Sequence, residues 1–291
     1  MAGPARETLS VGAFADEAAR RLKSNPAAVA ALAVMCAIVV LTLLGPWISP
    51  NDVQSLDWLH IAARPGMQSA HWFGTDRLGR DLFVRTLAGT RVSMAIGLSA
   101  SLISLLVGVT YGAIAGYIGG RADHLMMRLI EILSGLPLIF FVIFLTVIFG
   151  RSEYLLFFAI GAVGWLTMAR IVRGQTLSIR QKEFIEAAIA SGASTGRIIL
   201  RHVVPNVIGP VIVYATLTVP QIILFESFLS FLGLGIQEPG ASLGTLIAEG
   251  AAEMESAPWI LLVPGSFLAL LLLCLNVVGD GLRDALDVKD G

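Results

Sequence analysis

The chain alternates long apolar runs with short polar stretches, and the runs set its architecture. Charge-free or nearly charge-free windows cover Ala27 to Ile48, Val92 to Gly120, Ile132 to Gly150 and Ser256 to Gly279, each long enough to cross a bilayer as a helix. Tyr154 to Ala169 is just long enough if Arg170 snorkels to the interface. A further run, Val207 to Leu232, carries Pro210 and Pro220 as predicted kinks. No window alternates with the two-residue period of a barrel strand, so the pattern predicts an all-α polytopic membrane protein of six transmembrane helices. The divisions are a segment 1–25, a first span 26–49, a loop 50–91, a core 92–279 and a tail 280–291.

The longest polar interruption inside the core, 173–206, has its own pattern. Lys182 to Ala190 is rich in helix formers, Gly192 tolerates the left-handed conformation that ends a helix, and Ser194 or Thr195 can cap a second one. That second helix would run through Ile198, Ile199 and Val203 to Pro205, which can open another at its first turn. The product is a helical corner with an apolar stripe and a basic rim, shaped to be gripped by a partner. A DNA-binding helix-turn-helix and a merely solvated connection share parts of this pattern. So few residues separate the stretch from the bilayer that no free recognition face remains for DNA.

Composition narrows the class further. The 291 residues are 56% hydrophobic and 14% charged, and a mean hydropathy of +0.79 excludes an ordinary soluble globule. A net charge of −1 gives no sign of a nucleic-acid partner, and Cys36 and Cys274 lie inside apolar runs as packing residues. Phe14 to Lys23 reads as a short amphipathic helix, ended by Asn25-Pro26, lying along the membrane. The run that follows is too long for a signal peptide and lacks an A-x-A exit. With the N-terminus inside, fourteen of the Lys and Arg residues fall on inner segments and six on outer ones, as the positive-inside rule asks. Both termini and the corner are then cytoplasmic, and the protein sits in the cell membrane.

Chemistry is sparse. The three lysines, Lys23, Lys182 and Lys289, follow Leu22, Gln181 and Val288, so no phosphate-binding loop of the Gly-Lys type exists. His60, His71, His124 and His202 are scattered through loops, no metal-ligand spacing appears, and no catalytic residue is assigned. Glu226 is the one ionisable residue deep in an apolar run. At about 1.5 Å per residue from Val207 it stands about 30 Å along its helix, near the outer boundary. A proton or substrate site is the default reading of such a carboxylate, but its depth favours a gate or subunit contact. An ion-driven transporter would place carboxylates near the midplane in repeated halves, and no internal repeat is visible. The segment 233–258 carries Glu238, Glu249, Glu253 and Glu255 without a base and would present acid outward, with Ser242 to Glu253 forming a short interfacial helix.

The spacing Glu186-Ala187-Ala188, three residues, Gly192, nine residues, His202-Val203-Val204-Pro205 resembles the EAA loop of ABC importer permeases. Arg201 to Asn206 is similar to the Arg-His-Val-Leu-Pro-Asn ending of the peptide branch, differing at Val204. His71 to Met94 resembles the FGTD-x-x-GRD segment of the C-type subunit of dipeptide and oligopeptide importers, through Gly74, Asp76, Gly79, Arg80 and Asp81. Gly119 to Pro137 is similar to a further family run, with Glu131 where Asp is usual. ESFLSFLGLG from Glu226 and the ending Asn276, Gly279, Asp280, Arg283, Asp284 also resemble the family, with Leu243 for its usual Trp and Val288 for its terminal Pro.

The resemblance implies a type I ABC importer permease bundle, not itself an enzyme. Its coupling helix would dock on an ATP-binding subunit through Glu183, Glu186, Ala187, Ala188, Gly192, Arg197 and Pro205. ATP and Mg2+ would sit on one or two partner ATPase subunits, and none would be bound by this chain. A second homologous permease subunit, an extracytoplasmic solute-binding protein and membrane lipid complete the implied partners. Short peptides are the implied substrate, and nickel, carried by similar relatives, is the alternative.

Overall fold

The computed structural model describes residues 11–66, 71–150 and 153–286, and among them every regular element is helical. Helix α1 (Val11–Ser24) stops at Asn25, whose side chain accepts the Ala27 and Ala28 N–H groups and starts α2 (Pro26–Ile48) with proline at its first turn. A structured loop leads to α3 (Leu82–Ile118), capped by the Asp81 carboxylate on the Val84 N–H. Then come α4 (Gly120–Ser134), α5 (Leu138–Phe149) and α6 (Glu153–Arg180). The corner holds α7 (Glu183–Ala190) and α8 (Thr195–Ile198), after which a π-helical turn, Ile199–Val203, feeds α9 (Val204–Phe231). Helices α10 (Leu243–Ala252) and α11 (Trp259–Leu286) complete the chain.

Among the described residues α2, α3, the stretch Thr195–Phe231 and α11 are four helices long and apolar enough to cross a membrane. The predicted single span from Ile132 to Gly150 is corrected. Helices α4 and α5 meet at a bend of 81°, and together they have the length and apolarity of a broken span or a re-entrant loop. Gly135 and Pro137 explain the break, because proline donates no N–H and disfavours helix in the residue before it. The fourth predicted span lies within α6, which continues beyond Ala169. Arg170 donates to the Ser134 hydroxyl at 2.6 Å, and Arg173 is bidentate on Asp123 at 2.5 and 2.6 Å. Paired in this way, the two arginines do not end the helix.

At the centre, α3 and α6 run parallel and pack on each other more extensively than any other pair. Three glycines a turn apart on α3 make this approach. A β-carbon on Gly108 would lie 2.6 Å from Met168, one on Gly112 2.4 Å from the Ala169 carbonyl oxygen, and one on Gly116 2.8 Å from Thr176. Their backbone thus lies directly on the facing helix, as in small-residue membrane interfaces. Helix α9 crosses the other side of α3 antiparallel, with Gly97 against Ile223 and the Ser101 hydroxyl on the Ala215 carbonyl.

Two apolar clusters mark opposite ends of this arrangement. One gathers Ile96, Ala100, Val142, Ile160, Ile222 and Leu229. The other gathers Ala113, Met168, Val172, Ile185, Ile198, Val203, Val207 and Val211. The second belongs to the corner.

Candidate functional site

Helix α7 ends as its sequence predicts. Gly192 takes φ +79, its N–H returns to the Ile189 carbonyl and the Ala193 N–H to that of Ala188. Ser194 precedes α8 in extended conformation but makes no side-chain cap hydrogen bond, so the turn geometry carries the capping alone. The second short helix does not stop at Pro205. Its backbone continues through the π turn into α9, and the looser turn absorbs the hydrogen bond that Pro205 cannot donate.

The faces of the corner are divided. Ile185, Ile198 and Val203 are fully buried against α3, α6 and α9, each side chain stabilising the packing by about 1.5–3 kcal/mol. Glu183, Glu186, Ala187, Gly192, Arg197 and Pro205 are exposed, and Ala188 is half-buried at the edge of the cluster. Beside the charges stand exposed Phe184, Ile189 and Leu200. One face therefore locks the corner to three long helices, while the other offers mixed apolar and charged side chains.

At the opposite end the loop ahead of α3 is held by its charges. Gly74 (φ +80) and Gly79 (φ +77) admit no side chain, since a β-carbon would meet the Ala63 carbonyl oxygen at 2.3 Å and that of Asp57 at 2.1 Å. Arg80 binds Asp76 at 2.6 Å and reaches Glu238 and Glu249 at 3.3 Å. Arg85, buried in the first turn of α3, lies 3.2 Å from Asp76 and 3.1 Å from Glu249. Burial pushes the Glu249 carboxyl up to about 7, with the Arg80 guanidinium pulling the other way. Arg80 is itself raised, its burial outweighed by Asp76. Asp81 pairs with His71 at 2.8 Å besides capping α3.

This network corrects the expectation of a freely presented acidic surface. Glu249, and in part Glu238, contact arginines of the same chain, and α10 is tied to the loop by them. The interfacial helix itself forms, capped by a Ser242–Thr245 capping box.

Glu226 is fully buried, its carboxylate accepting from the Ser93 hydroxyl at 2.9 Å and the Ser230 hydroxyl at 2.7 Å. Its side chain reaches no outer surface of this chain. The residue instead joins α3 to α9 close to the loop end. The C-terminal motif is not a loose tail through Leu286 but the last turns of α11. Gly279 packs on Leu217 and Gly281 on Ala28 and Leu22, while Asn276, Asp280, Arg283 and Asp284 are exposed. Its final Asp287 lies outside the described residues.

Two features escaped the sequence reading. The glycine stripe at 108, 112 and 116 was visible as a repeated small residue every fourth position, a recognised helix-contact signal. The convergence of Asp57, His60 and His71 had no comparable signal, because the fold alone closes the loop that separates them.

Similarity to known proteins agrees with this geometry. The profile of the binding-protein-dependent transport system inner membrane component matches residues 108–289, and that of the N-terminal TM domain of oligopeptide transport permease C matches 14–65. Oligopeptide transport system permease protein OppC of Haemophilus influenzae is 54% identical over 274 residues, covering 94% of this chain and 88% of the relative. Its namesake from Escherichia coli K12 is also 54% identical, covering 94% and 91%. Dipeptide transport system permease protein DppC of Bacillus subtilis is 47% identical over 279 residues, covering 95% and 86%. A structure of the MetNI methionine ABC transporter in an inward-facing conformation shares the fold, with a TM-score of 0.55 and 18% identity over 69% of this chain and 96% of that one. With six-tenths of its length inside one family profile and half its residues shared with permeases along nearly all of it, the chain belongs to the binding-protein-dependent transport system inner membrane components, as a permease of the oligopeptide permease C type.

Proposed function

We propose that this chain is the permease subunit of an ATP-driven importer of short peptides, moved by ATPase subunits that grip the corner between α6 and α9. The divided corner carries the reading. Its buried face ties α7 to α3, α6 and α9, and its outward face leaves Phe184, Glu186 and Arg197 to a partner. ATP and Mg2+ belong to one or two such ATPase subunits. A second homologous permease forms the other half of the path, and a solute-binding protein delivers cargo from outside.

Closure of the ATPase pair would displace α7, and the joined helices would rock against the second permease so that the path opens alternately to each side. Peptide cargo is supported by relatives named as oligopeptide and dipeptide permeases. The same similarities do not favour nickel.

The test is Gly192→Leu in the reconstituted transporter. A β-carbon meets no neighbour there, so the substitution acts through its left-handed backbone, at a cost of about 1–2 kcal/mol, and rebuilds the turn rather than the core. The assembled complex is expected to hydrolyse ATP while peptide uptake falls at least about tenfold, roughly 1.4 kcal/mol of lost coupling. Wild-type uptake would refute the coupling role.

A further inference from the structure

Apart from the corner and the charge network, one side-chain cluster has donors suited to a metal. Asp57, His60 and His71 each direct a ligand atom to one place, all of them within 4.8 Å of one another. His60 Nδ1 lies 2.8 Å and His71 Nε2 3.3 Å from the same oxygen, Asp57 Oδ2. In a tetrahedral zinc site with bonds of about 2.0–2.1 Å, neighbouring ligand atoms stand about 3.3 Å apart. The cluster is already near that spacing.

Its support extends a shell further. The other nitrogen of His71, Nδ1, is hydrogen-bonded at 2.8 Å to Asp81 Oδ2, which also accepts from Asn51 Nδ2 at 3.0 Å, while Asp81 Oδ1 caps α3. A carboxylate on the far nitrogen is the arrangement that fixes a metal-binding histidine in the right tautomer and orientation. The backbone is held as well. Asp57 N–H donates to the Gly79 carbonyl, and the Thr75 hydroxyl donates to the His60 carbonyl and accepts from the Ala63 N–H. His71 is buried, its side chain 6% exposed, whereas Asp57 at 36% and His60 at 52% open the site to solvent. An ion could enter, and a water could complete its coordination.

We propose that Asp57, His60 and His71 form a zinc(II) site of two imidazoles and one carboxylate, with Asp81 as the positioning residue behind His71. Two neutral nitrogens and one oxygen suit zinc among the common divalent ions, whereas calcium and magnesium favour oxygen alone. The site lies in the loop ahead of α3, away from the corner. Bound zinc would join the 57–60 turn to His71, across the part of the loop that precedes α3.

The experiment uses the full-length chain without a polyhistidine tag, purified in detergent at about pH 7.5. Zinc chloride is titrated against a chromophoric chelator, and cobalt(II) chloride is added separately to read the visible bands of a four-coordinate site. One zinc per chain is expected, with cobalt bands. His60→Ala and Asp57→Asn should each weaken zinc at least about tenfold and remove the bands. His124→Ala, which removes an exposed histidine of α4, should leave both unchanged.

The His60 side chain is half exposed and makes one hydrogen bond, to Asp57, while Thr75 holds its backbone, so His60→Ala should still fold without metal and decides the outcome if Asp57→Asn does not fold. Absence of zinc binding in the wild type, or equal affinity in His60→Ala, overturns the site. Neither result depends on transport, so the importer assignment stands or falls separately.

Discussion

Glu249 is the residue on which the loop end turns electrostatically. Its carboxyl is raised from the ordinary value to about 7 by burial, so between about pH 4.5 and 7 the folded chain holds a proton there that the unfolded chain has released. Stability contributed through this group therefore falls as pH rises through that window and is flat above it. Comparing thermal unfolding of wild type and Glu249→Gln from about pH 5 to 8 checks the sign. The wild type should lose ground to the variant as pH rises, because glutamine keeps the neutral shape and does not titrate. A parallel pair of curves would place the pH response elsewhere. The glycines beside it were legible from sequence, since Gly74 and Gly79 occur where a polar segment must turn. Their stringency was not, because it comes from the Ala63 and Asp57 carbonyls, which only the closed loop brings near.

Among elements, the α3–α6 pair makes the sharpest prediction. A side chain at Gly112 would enter the Ala169 carbonyl and Val172 simultaneously, so Gly112→Leu cannot be absorbed by a rotamer change. Overpacking of this kind costs about 1–3 kcal/mol or more, and the variant should show a lower unfolding temperature and reduced yield. Gly174→Leu, on the same bundle with open space around it, should not. Hydropathy located these helices but not how they meet, because an average over a window discards which face a glycine occupies. The same averaging hid the break between α4 and α5, although Pro137 stood in plain view. Conversely, the turn at Gly192 was readable, because it is made by hydrogen bonds among residues three to five apart, whereas the π turn before Pro205 was not. The Arg85–Glu249 contact joins residues 164 apart in the chain and left no local trace.

For the whole molecule, the sequence alone assigns direction. The corner end and the loop end lie at opposite extremes of the α3–α6 pair, so they should label from opposite sides of the membrane. With Cys36 and Cys274 replaced by serine, Arg197→Cys should react with a membrane-impermeant maleimide only in inverted vesicles, and Gln54→Cys, in the segment before α3, only in intact cells. Labelling of both from one side would break the predicted six-span topology, and an exchange of the two sides would reverse it. The family's shared architecture explains why so much was legible at this scale. Apolar length fixes where a chain crosses a bilayer, while partners, cargo and ions depend on a few side chains brought together late.

The glycine stripe has a mechanical corollary. Where one rod lays bare backbone against its neighbour, with side chains from only one of the two between them, little that is soft is left to compress. A shove delivered to one end of the pair should reach the other almost undiminished, which makes α3 and α6 a strut and leaves yielding to the bent α4–α5 junction.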